Sequence, residues 1–132
     1  MLTISVDHNA KTPIYKQIFD QIVHHISIGE LQPGNYLPAS RTMAGILDVN
    51  FHTVNKAYDI LRNQGIIALS RNKKYVVKNS PMDDLSLHRL EERESEIIDE
   101  AFARGFNEKE IHDFITGIIK SRNRKNKGAL KK

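Results

Sequence analysis

The 132-residue chain contains no cysteine. Disulfides, thiolate metal sites and thiol nucleophiles are therefore excluded. Apolar residues are also sparse, at 39% against 27% charged. That balance suits a small, highly exposed fold, or one that buries further surface by associating with itself. There is room for one domain and an appendage, not for two full domains. No run is long and apolar enough to span a membrane, and the opening MLTISVDHNAKT lacks the pattern of a signal peptide. A cytoplasmic protein is the expectation. A phosphate-cradling loop, a plausible Ser/His/Asp arrangement, a paired-carboxylate cleft and internal repeats are missing as well. No catalytic residue, cofactor or metal site is assigned on this reading, and an enzyme is not expected. The adjacent His24 and His25 would point about 100° apart on a helix and make a poor chelate.

What is present is unevenly distributed. The net charge of +4 conceals three different regions. Residues 1–82 hold 9 Lys/Arg and 5 Asp/Glu, residues 83–119 hold 4 and 11, and residues 120–132 hold 7 and none. A basic first part suits a polyanionic partner, and the acidic middle does not. The middle is therefore not expected to lie on the same polyanion.

Along the chain, Thr3–Val6 has the composition of a short extended piece. After Pro13, Ile14, Ile18, Ile22 and Ile26 recur every four residues, which predicts an amphipathic helix of about four turns closed by Gly29. Gln32–Asn35 is a turn signal. A second helix is expected over about 40–47, with Met43, Ala44 and Leu47 inward. Asp48, Val49 and Asn50 make a short turn, with Val49 plugging inward. Asn50 is a suitable N-cap for a third helix to about Gln64, with Val54, Ala57, Tyr58 and Leu61 as its buried stripe. Residues 66–69 and 75–77 read as two short strands around the polar tip Ser70–Lys74. Asn79–Pro81 marks a break. A long helix follows over about 85–104, then a capping box at Asn107 and Glu110 and a last helix over about 108–121. The remainder has no apolar periodicity and is expected to be disordered.

The stretch from Leu37 to Gly65 is thus two helices joined by a very short turn. The second has polar residues at its start and apolar residues behind them. That is how a helix enters a DNA groove while its back packs on a core. Three helices followed by a hairpin give the winged helix-turn-helix order. The fold class is accordingly mainly α with a small β-hairpin, plus two C-terminal helices. The expected division is 1–79 for the winged domain, 80–121 for a helical dimerisation segment and 122–132 for a basic disordered tail.

The sequence resembles the GntR family of transcriptional regulators. The matching pieces are Pro13-Ile14-Tyr15-Lys16-Gln17-Ile18, Gly29-Glu30-Leu31-Gln32-Pro33-Gly34, Leu37-Pro38-Ala39-Ser40-Arg41 and Thr53-Val54-Asn55-Lys56-Ala57-Tyr58. They occur in order over roughly residues 10–78. The short remainder is similar to the YtrA-type branch, which has two C-terminal helices in place of a large ligand-binding domain. The resemblance implies a homodimer on an inverted-repeat (palindromic) operator, usually as a repressor. Two positions depart from the family. Phe51 stands where Arg is common, and Asn72 and Lys74 stand at wing positions where Gly is common. Asn72 tolerates the left-handed conformation that such a tip requires.

The expected DNA-binding set is Ser40, Arg41, Asn50, Phe51, His52, Thr53, Asn55, Lys56, Arg71, Asn72 and Lys73. Arg41 and Thr53 match contact residues of the family. Arg41 has the donors for a bidentate bond to phosphate or guanine; its alternative is a surface pair with Asp48 or Glu30. Asn50 sits at a helix N-terminus, which favours phosphate, and capping is compatible with that contact. His52 is equally readable as a solvated surface residue. Asn55 has the amide geometry for adenine, and Phe51 has the apolar face for a thymine methyl unless it packs on its own helix. Lys56, one turn on, is placed to reach phosphate. Arg71, Asn72, Lys73 and Lys74 make a basic wing tip fit for the minor groove or its phosphates.

On the last two helices, Ile97, Ile98, Phe102, Phe106, Ile111, Phe114, Ile115 and Ile118 would leave a large apolar patch on a monomer, and a dimer interface is expected there. A small-molecule effector is left unassigned. The alternative to DNA binding is a winged-helix protein-interaction module.

Overall fold

Pro13 sets the start of the first helix. Its carbonyl accepts the Lys16 and Gln17 N–H groups, both at 3.1 Å. The computed structural model describes residues 3–79 and 84–126. Helix α1 is Ile14–Ser27, α2 Ser40–Leu47, α3 Phe51–Asn63, strand β1 Ile67–Leu69, β2 Tyr75–Val77, α4 Asp84–Ala103 and α5 Glu108–Asn126. The chain divides into two units, Met1–Ser80 and Pro81–Lys132.

In unit one, α3 packs against both α1 and α2 and also meets β1. The four-residue repeat of isoleucines puts Ile18 and Ile22 on the inner face of α1. They meet Val54, Ala57, Tyr58 and Leu61 of α3, Met43, Ala44 and Leu47 of α2, and Ile67 and Val77 of the hairpin. Gly29 and Gly65 follow α1 and α3 at φ 82° and 77°. Each lets the chain leave its helix through the left-handed conformation that glycine adopts without steric cost. The hairpin is antiparallel, with Ile67 opposite Val77 and Leu69 opposite Tyr75.

Two segments of unit one are held by pairings beyond the local pattern. Thr3–Val6 joins no strand. It is tied to α1 by side-chain amides: the Ser5 N–H donates to Gln21 Oε1 at 3.1 Å, Gln21 Nε2 donates to the Ser5 carbonyl at 2.6 Å, and the Asp7 N–H donates to Gln17 Oε1 at 2.8 Å. Gln17, Gln21 and His25 lie one helical turn apart. They can satisfy an extended backbone that has no neighbouring strand. Second, the segment before α2 lies along the hairpin. Tyr36 bridges Val76. The Gly34 N–H donates to the Val77 carbonyl, the Leu37 N–H to the Tyr75 carbonyl and the Val77 N–H to the Asn35 carbonyl, each at 2.9 Å.

In unit two, α4 and α5 are joined through residues 104–107. The capping box forms with both of its bonds: the Glu110 N–H donates to Asn107 Oδ1 at 2.8 Å and the Asn107 N–H to Glu110 Oε1 at 2.9 Å. Helix α5 continues to Asn126, so residues 122–126 are helical where the tail was expected to begin. The rest of the expected tail lies outside the described residues. Phe106 and Phe114 meet edge to face with ring centres 6.1 Å apart. Among the described residues, no helix is long and apolar enough to cross a membrane.

Candidate nucleic-acid interface

The turn between α2 and α3 fixes the interface. Asp48 closes α2 in the left-handed conformation, at φ 56° and ψ 53°. Asp and Asn adopt that conformation at lower cost than most residues. The reversal brings the Val49 N–H to the Ala44 carbonyl at 3.0 Å, and Val49 packs against the core. Asn50 then caps α3, its Oδ1 accepting the His52 N–H at 2.8 Å. Behind the turn, Tyr58 is fully buried and its hydroxyl donates to the Pro38 carbonyl at 2.8 Å. This bond ties α3 to the residues that precede α2. Burial, and secondarily the neighbouring Tyr75, raise the Tyr58 pKa well above the usual tyrosine range.

The sequence-predicted residues fall into a connected set. Ser40 is the first residue of α2 and half-buried, while Arg41 beside it is exposed. The Arg41 guanidinium stands over the Phe51 ring, 4.2 Å from its centre. Phe51 in turn meets the His52 ring at 4.2 Å. The Glu30 carboxylate faces His25 at 3.2 Å. His52 is exposed, and Thr53 and Asn55 are half-buried. Lys56 is exposed, but its ammonium sits 4.0 Å from the Tyr15 ring centre on α1. A phosphate contact at Lys56 would compete with that cation–π attraction.

At the wing, Ser70–Lys74 forms the turn. The Lys73 N–H donates to the Ser70 carbonyl at 2.9 Å and the Ser70 N–H to the Lys74 carbonyl at 2.8 Å. The Ser70 hydroxyl bonds to Asn72 Oδ1. The left-handed residue is Lys73, at φ 61°, not Asn72 as expected. Asn72 instead spends its side chain on Ser70. Arg71, Asn72, Lys73 and Lys74 are all exposed.

A cleft joins the wing to α2. It is lined by Tyr36, Leu37, Ala39, Ser40, Lys73, Lys74 and Tyr75. Its described lining carries two lysines and no carboxylate. Wing tip, α2 start and α3 start are therefore contiguous: the cleft links the first two and the Arg41–Phe51 stack links the last two. The place of Tyr36 in this cleft depends on its register with Val76, which no local pattern encodes.

In unit two, Ile97, Phe102, Phe106 and Ile118 are exposed and Ile98, Phe114 and Ile115 half-buried. Ile111 is only 5% exposed, and Ala101 is buried too. Ile111 thus spends its apolar surface inside its own helix pair. Among the described residues, no group of three or more His, Asp or Glu side chains is arranged to hold a metal ion.

The winged helix-turn-helix geometry finds its match in known proteins. Residues 14–77 fit the family model described as bacterial regulatory proteins, gntR family. The chain is 31% identical over 118 residues to the HTH-type transcriptional repressor YtrA of Bacillus subtilis, covering 87% of this chain and 91% of that one. Among solved structures it is similar to YtrA from Sulfolobus acidocaldarius, a GntR-family transcription factor, at 41% identity and TM-score 0.64, covering 91% of this chain and 99% of that one. A transcriptional antiterminator from Listeria monocytogenes EGD-e superposes with TM-score 0.77 at 27% identity, over 88% of this chain and 89% of that one. With most of its length accounted for by such relatives, and its helix-turn-helix by the family model, the chain belongs to the GntR family of transcription regulators, with a winged helix-turn-helix as its DNA-binding domain.

Proposed function

We propose that this chain is a homodimeric repressor that binds an inverted-repeat operator. The observation that carries the reading is the contiguity of three features in unit one: the exposed Arg71–Lys74 wing turn, the start of α2 with Ser40 and Arg41, and the polar first turns of α3. Helix α3 enters a major groove with His52, Thr53 and Asn55 toward the bases. Asn50 and the α3 N-terminus meet a phosphate, and Lys73 with Arg71 lies on the adjacent minor-groove edge. Arg41 takes a phosphate or a guanine edge. Unit two pairs two copies, through the exposed Ile97, Phe102, Phe106 and Ile118. The repressor name of the Bacillus relative supports the sign of regulation. The basic balance of residues 1–82 and the acidic balance of residues 83–119 support a division between DNA contact and self-association.

Selection of genomic fragments with the full chain tests the reading. Wild-type protein is expected to retain fragments with inverted repeats whose half-sites lie about one helical turn apart. Affinity for the retained site should fall steeply with salt, because released counterions supply much of the binding free energy. Arg41→Ala should weaken binding by about ten-fold or more. Salt-independent affinity, or full affinity in Arg41→Ala, is incompatible with this account.

A further inference from the structure

Phe51 stands one residue into α3, yet it does not project free of the protein. It is half-buried and packs against the core cluster of unit one. Two exposed neighbours flank its ring: the Arg41 guanidinium at 4.2 Å from the ring centre and the His52 ring at 4.2 Å, tilted by 32°. Core, arginine and histidine each meet the ring, so only part of its surface is left open. The ring also ties the start of α2 to the start of α3, across the turn.

We infer that Phe51 is a positioning residue for Arg41, holding the guanidinium over its ring so that the arginine meets DNA already ordered, and that Phe51 makes no base contact of its own. The inference rests on the DNA-binding reading above. A free arginine has many rotamers, and fixing one on binding reduces affinity. A guanidinium attracted to a ring face through its π-system keeps N–H donors at its edge for phosphate or guanine oxygens. The ring is itself fixed by core packing, so the platform does not move when the arginine engages. Where an arginine at position 51 would add a charge to the interface, phenylalanine gives one up and aims another. Recognition at this end of α3 is thereby concentrated on Arg41, and what Phe51 contributes passes through that side chain.

The test is a double-mutant cycle in the full chain. It uses a duplex carrying a genomic fragment retained by the wild-type protein, together with side-chain NMR of the free protein. In the free protein, the Arg41 Hδ and Hε protons should lie upfield of their positions in Phe51→Leu, because the ring current shields them. Phe51→Leu keeps apolar packing and should bind about two- to five-fold more weakly, the range of an exposed cation–π attraction. Phe51→Tyr restores a ring and should restore both the shift and the affinity. In an Arg41→Ala background, Phe51→Leu should change affinity no further. Phe51→Met serves as the packing-conserving substitute if Phe51→Leu lowers the melting temperature. Unshielded Arg41 protons in the wild type overturn the inference, as does an equal loss from Phe51→Leu with and without Arg41, which would assign Phe51 its own contact to DNA. Failure of the wild-type chain to retain any fragment would instead overturn the DNA-binding reading, and the positioning role with it.

Discussion

Unit one sinks Ile18, Ile22, Val54, Tyr58, Leu61 and Ile67 almost completely, each at 1% exposure or less. Unit two, among its described residues, buries only Ala101 and Ile111, and leaves Leu85, Leu87, Leu90, Ile97, Phe102, Phe106, Ile118 and Ile119 exposed. The two therefore obtain stability differently. Three helices and a hairpin enclose apolar side chains from every side. A pair of helices has one shared seam, and apolar residues off that seam face outward. Unit one should hold its fold by its own packing, whereas unit two should depend on whatever covers its apolar surface.

Three variants would break or sharpen this contrast. The largest effect is expected from Leu61→Ala, which removes a fully buried side chain of unit one at a cost of about 2–5 kcal/mol. Urea melts followed over a range of protein concentrations check it. The loss should be the same at every concentration, and a concentration-dependent loss would mean that unit one, too, relies on association.

Next is the pair Phe102→Asp and Ile118→Asp on exposed positions of unit two. Sedimentation should show dimers for the wild type and monomers for the double variant, with operator affinity reduced about 100-fold or more as the two-site advantage is lost. Unit one should melt within about 0.5 kcal/mol of wild type. A double variant that stays dimeric would place the association surface elsewhere.

The smallest effect is expected from Tyr58→Phe, which deletes the bond to the Pro38 carbonyl at a cost of about 1–2 kcal/mol at neutral pH. The raised pKa of Tyr58 gives this residue a pH signature. The folded state holds the phenolic proton more tightly than the unfolded chain does. Its contribution is therefore complete below the unfolded value of about 10 and lost as pH rises beyond it. The stability gap between wild type and Tyr58→Phe should narrow above pH about 10. A gap that is constant into alkaline conditions would contradict the burial of an intact hydroxyl.

The contrast between the units also governs how much could be read from sequence. In unit one, the isoleucine period of α1, the stripe Val54–Ala57–Tyr58–Leu61 and the Asn50 cap are local signals, and each appears in the structure where its pattern placed it. What escaped depends on pairings distant in sequence. Arg41 stacking on Phe51 requires the crossing of α2 and α3 to be known. The Tyr36–Val76 bridge requires a strand register. At the wing, tolerance of positive φ points to Asn72, but the left-handed residue is Lys73, one position on, and the Asn72 side chain bonds to Ser70. In unit two, the apolar stripe was visible, but the division between the helix seam, where Ile111 lies, and the outer face, where Ile118 lies, depends on how α5 rotates against α4.

Lys73 carries a consequence of a different kind. A lysine at φ 61° accepts a backbone penalty of about 1–2 kcal/mol that glycine would not incur. The wing tip is thus a place where conformational comfort has been exchanged for an ammonium group in the turn of the hairpin. Thermostabilisation by relaxing that turn would remove a positive charge from the cleft beside α2. At this position, a more robust protein and a better ligand for a polyanion are competing design goals.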